Sequence, residues 1–401
     1  MKKTREKVFV GMSGGVDSSV AALLLRKEGY DVVGVFMRSY NIDGCAERDA
    51  EDARRVAGKI GIPFYVWDFE EEYKKKVVDY MVEGYRRGLT PNPDVMCNKE
   101  IKFGLFLERA LAMGADYMAT GHYVRLLRKN AVASTRFARP ATRSLVLAAS
   151  VLSNSGHHAD TVAEVSDNSV FSLLTARDKN KDQSYFLWTL TQKQLRRCLF
   201  PIGGYLKPEV RAIAKKAGLL TAEKKDSQGI CFLGKVTLSE FLSEYIPSKN
   251  GAVLNAKGET IGEHDGAHFY TIGQRRGLDS GGWKRASRES MPFYVAEKNI
   301  SNNTIVVAEG ESDASLYKKE IRLTDINLIR PHPGLETPGS VLARVRYRQP
   351  LAKAMLTSEN APFDKLRVRL VFNQSQKFVA AGQSAVFYSK SGEMLGGGVI
   401  L

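Results

Sequence analysis

The stretch that most restricts the fold is an apolar run at residues 8–12, the loop Ser13-Gly14-Gly15-Val16-Asp17-Ser18-Ser19, and then Val20, Leu23 and Leu24 at helical spacing up to Gly29. A strand that turns through glycines into a helix must find partner strands, because a lone strand leaves its backbone donors and acceptors unpaired. The chain supplies candidates. Apolar runs at 32–37, 64–69 and 117–120 read as buried strands, and helical patterns at 47–60 and 70–87 lie between them. Strand and helix alternating in this way predict an α/β domain, doubly wound around a mostly parallel sheet.

Beyond residue 127 the alternation stops. Residues 128–172 are rich in Ala and Ser, with scattered Arg and no sustained period, and read as an inserted surface segment. Within it, 145–152 is a candidate short helix and His157-His158 a solvated pair. Regular pattern returns at 185–190. A helix is predicted over 208–217, with Pro208 in its first turn and Gly218 after its end, and Cys198 falls in a helical stretch at 192–199.

From about residue 238 the texture changes to short strands with glycine turns at Gly251, Gly273 and Gly281-Gly282. From about 291 strict alternation dominates: Leu342, Arg344, Arg346 and Arg348 share one strand face, Val341, Ala343, Val345 and Tyr347 the other. The predicted organisation is a catalytic domain over 1–237, a small central domain over 238–290 and a C-terminal antiparallel β-barrel over 291–401. Arg344, Arg346 and Arg348 make one barrel face basic, suited to phosphates; Arg367 and Arg369 read as solvated charge.

The opening loop predicts anion binding. Glycines let backbone N–H groups approach phosphate oxygens at a helix N-terminus, and the hydroxyls of Ser13, Ser18 and Ser19 add donors. Asp17 would repel a bare phosphate, so it reads as a Mg²⁺ ligand, directly or through water. No Lys follows the glycines, which argues against a γ-phosphate motor or kinase. Ser-Gly-Gly-x-Asp-Ser resembles the signature of the ATP pyrophosphatase family. That resemblance implies ATP as co-substrate, cleaved between its α- and β-phosphates.

Four cysteines occur, Cys45, Cys97, Cys198 and Cys231, without a Cys-x-x-Cys pair, so no disulfide framework, zinc site or iron–sulfur site is indicated. Cys97 closes the proline-stiffened loop Thr90-Pro91-Asn92-Pro93-Asp94-Val95-Met96-Cys97-Asn98. Cys231 sits in Gly229-Ile230-Cys231-Phe232-Leu233-Gly234, where the two glycines read as hinges and Lys224 and Lys225 favour a thiolate. Asp94 suits proton exchange with a base or thiol, or else a turn carboxylate that caps backbone donors. Cys45 and Cys198 read as small buried hydrophobes.

Joined to Lys181-Asp182-Gln183-Ser184-Tyr185-Phe186-Leu187 and Gly382-Gln383-Ser384-Ala385-Val386-Phe387-Tyr388, these motifs resemble the tRNA-specific 2-thiouridylase family. The likeness covers nearly the whole chain except 128–172. It implies an adenine nucleotide alpha hydrolase-like fold with ATP contacts from Gly11, Met12, Ser13, Gly14, Gly15, Val16, Asp17, Ser18, Met37 and Gly121. It assigns tRNA or target-base contacts to Asn92, Pro93, Asp94, His122, Lys181, Asp182, Gln183, Arg346, Tyr347 and Gln383. It also implies that Cys231 receives persulfide sulfur from a sulfur-relay protein or cysteine desulfurase, that Cys97 is its partner, and that the wobble uridine of a tRNA anticodon stem-loop is thiolated.

The charge balance agrees: 59 Lys and Arg against 44 Asp and Glu leave +15, which favours a polyanionic partner such as nucleic acid, although a basic soluble protein would show the same charge. The basic start runs straight into Val8-Phe9-Val10, too short for a signal peptide, and no stretch reaches the ~18 apolar residues of a membrane span. The expectation is a cytoplasmic enzyme with no membrane partner.

Overall fold

The computed structural model describes residues 5–40, 42, 44, 46–129, 169–225, 230, 232–234, 236–275, 291–330, 338–359 and 366–401. Cys45, the candidate helix at 145–152, His157-His158, Gly229, Cys231 and Gly281-Gly282 lie outside these residues.

Strands β1 (Lys7–Gly11), β2 (Asp31–Arg38), β3 (Phe64–Asp68) and β4 (Tyr117–Thr120) are parallel and stand in the order β3-β2-β1-β4. Their near-continuous Val, Phe, Met and Ala runs suit strands covered on both faces. Helices α1 (Val16–Lys27) and α2 (Ala46–Ile60) follow β1 and β2. Because strand order reverses between β1 and β4, a crevice opens at the carboxyl ends of these two strands, where such sheets bind ligands.

Strands β5 (Val124–Lys129) and β6 (Val170–Thr175) pair antiparallel, with Lys129 opposite Val170. The segment expected to be featureless over 128–172 is therefore narrower, its two ends being strand. The pattern hid this because β5 exposes Arg125, Leu127 and Arg128 and shows no continuous apolar face. Strand β7 (Cys198–Leu199) extends the parallel sheet beside β4, with Met118 opposite Cys198. This corrects the helical reading of 192–199. The helix covers only Gln192–Leu195, and the Cys198 thiol donates to the Gln194 carbonyl at 3.0 Å.

Strands β8 (Gly251–Leu254), β9 (Thr260–His264), β10 (Phe293–Asn299) and β11 (Thr304–Glu309) form a four-stranded sheet ordered β10-β11-β8-β9. Strands β12 (Tyr317–Leu328), β13 (Gly339–Arg344), β14 (Ala352–Glu359), β15 (Arg367–Lys377), β16 (Ser384–Tyr388) and β17 (Met394–Ile400) close an antiparallel barrel in the order β12-β15-β14-β13-β16-β17. Its interior holds Ile321, Leu323, Val341, Phe372 and Phe387. The divide expected at 290/291 thus falls later, between β11 and β12, because β11 pairs with β8 from the central unit. Alternation alone does not tell which sheet a strand joins.

The expected arginine stripe is also shorter. β13 ends at Arg344, Arg344 is buried, and Arg348 has left the strand with φ +64°.

Candidate functional site

The loop after β1 is closed by its own neighbours. Gly14 has φ +71°, and a Cβ there would stand 2.3 Å from the Asp49 carbonyl oxygen at the start of α2. A Cβ on Gly121, just past β4, would stand 2.6 Å from the Ser18 nitrogen. Two glycines therefore let α2 and the end of β4 press against the loop. Gly11 is equally tight, with a Cβ placed 2.9 Å from the Met37 methyl. Met12 and Val16 are buried, whereas Ser13 is exposed and Gly15 half-buried. The hydroxyls of Ser18 and Ser19 donate to the Gly15 carbonyl at 3.2 and 2.7 Å, and the Ser13 N–H donates to the Ser18 hydroxyl at 3.1 Å, so these serines shape the loop. No side chain caps α1 at Gly15, so its first N–H groups stay open to an anion.

Asp17 has a partner that the sequence did not announce. Lys207 donates to both carboxylate oxygens at 2.8 Å, and the Tyr123 hydroxyl donates to Oδ1 at 2.8 Å. Lys207 and Tyr123 take three of the acceptor positions of the Asp17 carboxylate, so its charge is balanced within the chain. Among the described residues no group of three or more His, Cys, Asp or Glu could hold a metal.

The second half of the site is one long helix built from Pro93–Met96, Cys97–Phe106 and Leu107–Ala112, with wide π-type turns over Cys97–Phe106. Such turns are rare and occur often at functional sites. Asn92 caps the helix by accepting from the Val95 N–H at 3.2 Å, and Pro93 fills the first turn, where a missing donor costs nothing. Cys97 is buried at the start of the π-type stretch. Phe103 stacks toward His122 at 5.9 Å and Phe106 toward Trp67 at 5.4 Å, which seats the helix against the crevice end of the sheet. Burial pushes the Asp94 carboxyl above the ordinary carboxylate range, against the pull of Lys102. Burial, then Lys102, holds His122 well below the usual imidazole range, and its Nδ1 lies 2.8 Å from the Thr120 hydroxyl.

The barrel fixes the loop before this helix. Gln383 donates to the carbonyls of Thr90 and Pro91 at 2.9 and 3.2 Å, and the Thr90 N–H donates to the Ala381 carbonyl at 2.8 Å. Lys181 and Gln183 are half-buried; the Gln183 amide oxygen accepts from the Tyr123 N–H at 2.9 Å. Asp182 lies elsewhere. It is buried, ion-paired with Arg344, and accepts from the Ala176 N–H and the Ser184 hydroxyl at 3.0 Å. That places it, with Tyr185 and Trp188, in the joint with the barrel: Tyr185 donates to the Ser384 carbonyl at 2.8 Å and Trp188 to its hydroxyl at 3.0 Å. Arg346 donates to the Ile272 carbonyl at 2.7 Å, and Tyr347 lies 4.4 Å from Phe186, ring centre to ring centre.

Cys231 is outside the described residues, but Phe232 and Leu233 belong to the same apolar cluster as Val95 and Cys97, and Ile230 packs against it. Sequence reasoning passed over Lys207, Tyr123 and Lys102 as members of the site or its supports, and read Arg344 as part of an open basic face although it is buried against Asp182. Lys207 offered a signal, being a lysine directly before the Pro that starts a helix and only 8% exposed in the fold.

Two comparisons bear on identity. Residues 6–145 and 144–235 match the family described as the tRNA methyl transferase HUP domain, 239–309 the tRNA methyl transferase PRC-barrel domain, and 318–400 the aminomethyltransferase beta-barrel domain. The tRNA-specific 2-thiouridylase MnmA of Streptococcus agalactiae serotype III (strain NEM316) is 41% identical over 399 residues, covering 98% of this chain and 95% of that protein. Its namesake in Streptococcus thermophilus (strain CNRZ 1066) is 41% identical over 402 residues, covering 99% and 95%. A third, from Geobacillus thermodenitrificans (strain NG80-2), is 42% identical over 399 residues, covering 98% and 94%. With all three units matched and the relatives aligned almost end to end, this chain belongs to the tRNA-specific 2-thiouridylase family.

Proposed function

We propose that this enzyme replaces the C2 oxygen of a tRNA uridine, the wobble base of the anticodon, with sulfur in an ATP-dependent reaction. The observation that carries the reading is the meeting of two features at the carboxyl ends of β1 and β4: a glycine loop after β1 with open helix N–H groups, and the Asp94–Cys97 helix seated by Phe103 on His122 after β4. A methyl transfer would have no use for the first.

A uracil oxygen leaves poorly. Attack by that oxygen on the α-phosphate of ATP expels pyrophosphate and leaves AMP on the base, so the oxygen later departs with AMP. The open N–H groups of α1 and the Ser13 loop bind the pyrophosphate portion. Lys207 keeps Asp17 neutralised beside it, which lowers repulsion of the incoming polyphosphate.

Sulfur arrives as a persulfide on Cys231, delivered by a sulfur-relay protein or cysteine desulfurase. Cys97 closes a disulfide with Cys231, the sulfur leaves with the electron pair it needs, and it adds at C2 as AMP leaves. Asp94, whose carboxyl pKa is shifted upward by burial, exchanges a proton with the base or the thiol. His122, held neutral, presents a polar ring without adding charge to the pocket. Lys181, Gln183, Arg346 and Tyr347 complete the tRNA contacts, and Gln383 acts by holding the loop at Thr90 and Pro91. No described helix is long and apolar enough to cross a membrane.

The test is nucleoside mass spectrometry after incubating unmodified tRNA with the enzyme, Mg·ATP and a persulfide donor. The reading expects 2-thiouridine at the wobble position that disappears in Cys97→Ser. Methylated uridine in its place, or thiolation unaffected by the substitution, would overturn it.

A further inference from the structure

Two asparagines flank the catalytic turn, and they differ in what their amides do. Asn92 uses its carbonyl oxygen to cap the helix at Val95 N–H. Asn98, the residue after Cys97, is 3% exposed and donates its Nδ2 to the Phe186 carbonyl at 3.3 Å, while its Oδ1 is buried with no hydrogen-bond partner. The orientation of the amide follows from chemistry: a carbonyl oxygen faces it, so the NH₂ must turn that way and the oxygen the other. A buried acceptor without a donor costs about 1–3 kcal/mol, and such a group in a native site calls for a partner that arrives later.

We propose that Asn98 Oδ1 is the acceptor for the N3–H of the target uracil, which makes Asn98 a residue that selects uridine over cytidine. The inference rests on the thiolation reading above and adds the base-selecting atom to it. Uracil carries a proton on N3, beside the C2 that is to be thiolated; cytosine presents a lone pair there, which would face the Asn98 oxygen lone pairs. Three observations favour a base edge at this spot. Asn98 neighbours Cys97, whose sulfur chemistry must reach C2. Phe186, whose carbonyl orients Asn98, lies ring to ring with Tyr347 at 4.4 Å, and both are only partly buried, as aromatic groups that stack an unpaired base are. Asp94, one helical turn before, completes a row of polar groups on the same side of the helix.

The test uses the full-length enzyme and synthetic anticodon stem-loops carrying uridine or cytidine at the wobble position, with binding measured by fluorescence anisotropy and thiolation by mass spectrometry. Wild type should bind the uridine form about 10- to 100-fold more tightly than the cytidine form. Asn98→Leu should bring that ratio close to one, with thiolation of uridine reduced by a similar factor and only a small change in melting temperature, since an unsatisfied oxygen and the bond to the Phe186 carbonyl are removed together. Asn98→Asp keeps an acceptor and should keep the preference for uridine, with a lower melting temperature because a carboxyl oxygen then faces the Phe186 carbonyl.

An Asn98→Leu enzyme that still prefers uridine as wild type does would overturn the inference and leave the thiolation reading standing. Equal binding of both stem-loops by wild type would overturn it without any variant. A wild type that thiolates no tRNA would defeat both. If Asn98→Leu does not fold, Asn98→Ala is judged by the same ratio.

Discussion

The loop at residues 13–19 and the stretch at residues 181–188 are equally dense in motif, yet the fold uses them in opposite ways. In the first, bonds are local: Ser18 and Ser19 reach Gly15 three and four positions away, and the backbone is left facing outward for a ligand. In the second, Asp182, Ser184, Tyr185 and Trp188 pack against the outer face of the barrel and find partners 160 or more positions away in Arg344 and Ser384. One motif is built as a site would be; the other largely builds the joint between the first domain and the barrel. Their identical texture in sequence shows that motif density does not separate contact with a substrate from contact between domains.

The largest expected effect tests the second region. Arg344→Leu leaves the Asp182 carboxylate buried without its cation, and urea unfolding should show a loss of about 3–5 kcal/mol. A loss under about 1 kcal/mol would return Asp182 to a surface role and erase the contrast. Arg344→Leu combined with Asp182→Leu should cost less than the sum of the single changes.

Next comes the first region. Gly121→Ala drives a Cβ to within 2.6 Å of the Ser18 nitrogen, with 2.7 Å to the Asp17 carbonyl carbon. Calorimetry should find ATP affinity lowered at least about tenfold and stability lowered by about 1–3 kcal/mol. Gly58 in α2 is the control, because a Cβ there meets nothing within 4 Å. Gly58→Ala should be neutral or stabilising by up to about 1 kcal/mol.

Lys207→Met tests whether the Asp17 pair belongs to the nucleotide site or to the frame. We expect ATP binding weakened by roughly tenfold, for a hydrogen-bonded charge pair, with a smaller fall in melting temperature. A fall in melting temperature with unchanged ATP affinity would move the pair to the frame.

The smallest effect is a pH dependence. The folded chain keeps His122 neutral, while the unfolded chain takes up a proton below about pH 6.5. Stability should therefore decline as pH falls through that value, and His122→Gln should remove this part of the decline in unfolding curves recorded between pH 7 and pH 5.

Legibility in the sequence followed the reach of the interactions. β1, its loop and α1 were readable because strand run, glycines and helical spacing all lie within about twenty positions, and the parallel order followed from the alternation. The barrel was readable as a barrel through its period of two. What failed was long-range. The divide at 290/291 missed that β11 pairs with β8, Cys198 was placed on a helix because a two-residue edge strand has no period, and Arg344 was read outward although it is buried against Asp182. In the site, Asp17 was legible as a charged member of the loop, but its partner Lys207 stands 190 positions away and no local pattern joins them.

The central claim is that the loop and the cysteine helix serve one reaction, in which each sulfur inserted consumes one α–β cleavage of ATP. The direct measurement is the ratio of AMP formed from α-labelled ATP to 2-thiouridine formed in the same tRNA, in single-turnover conditions. The account predicts one AMP for each 2-thiouridine, with no ADP, and AMP that remains attached to tRNA when Cys97→Ser is used. ADP as product, or 2-thiouridine formed without AMP, would contradict it.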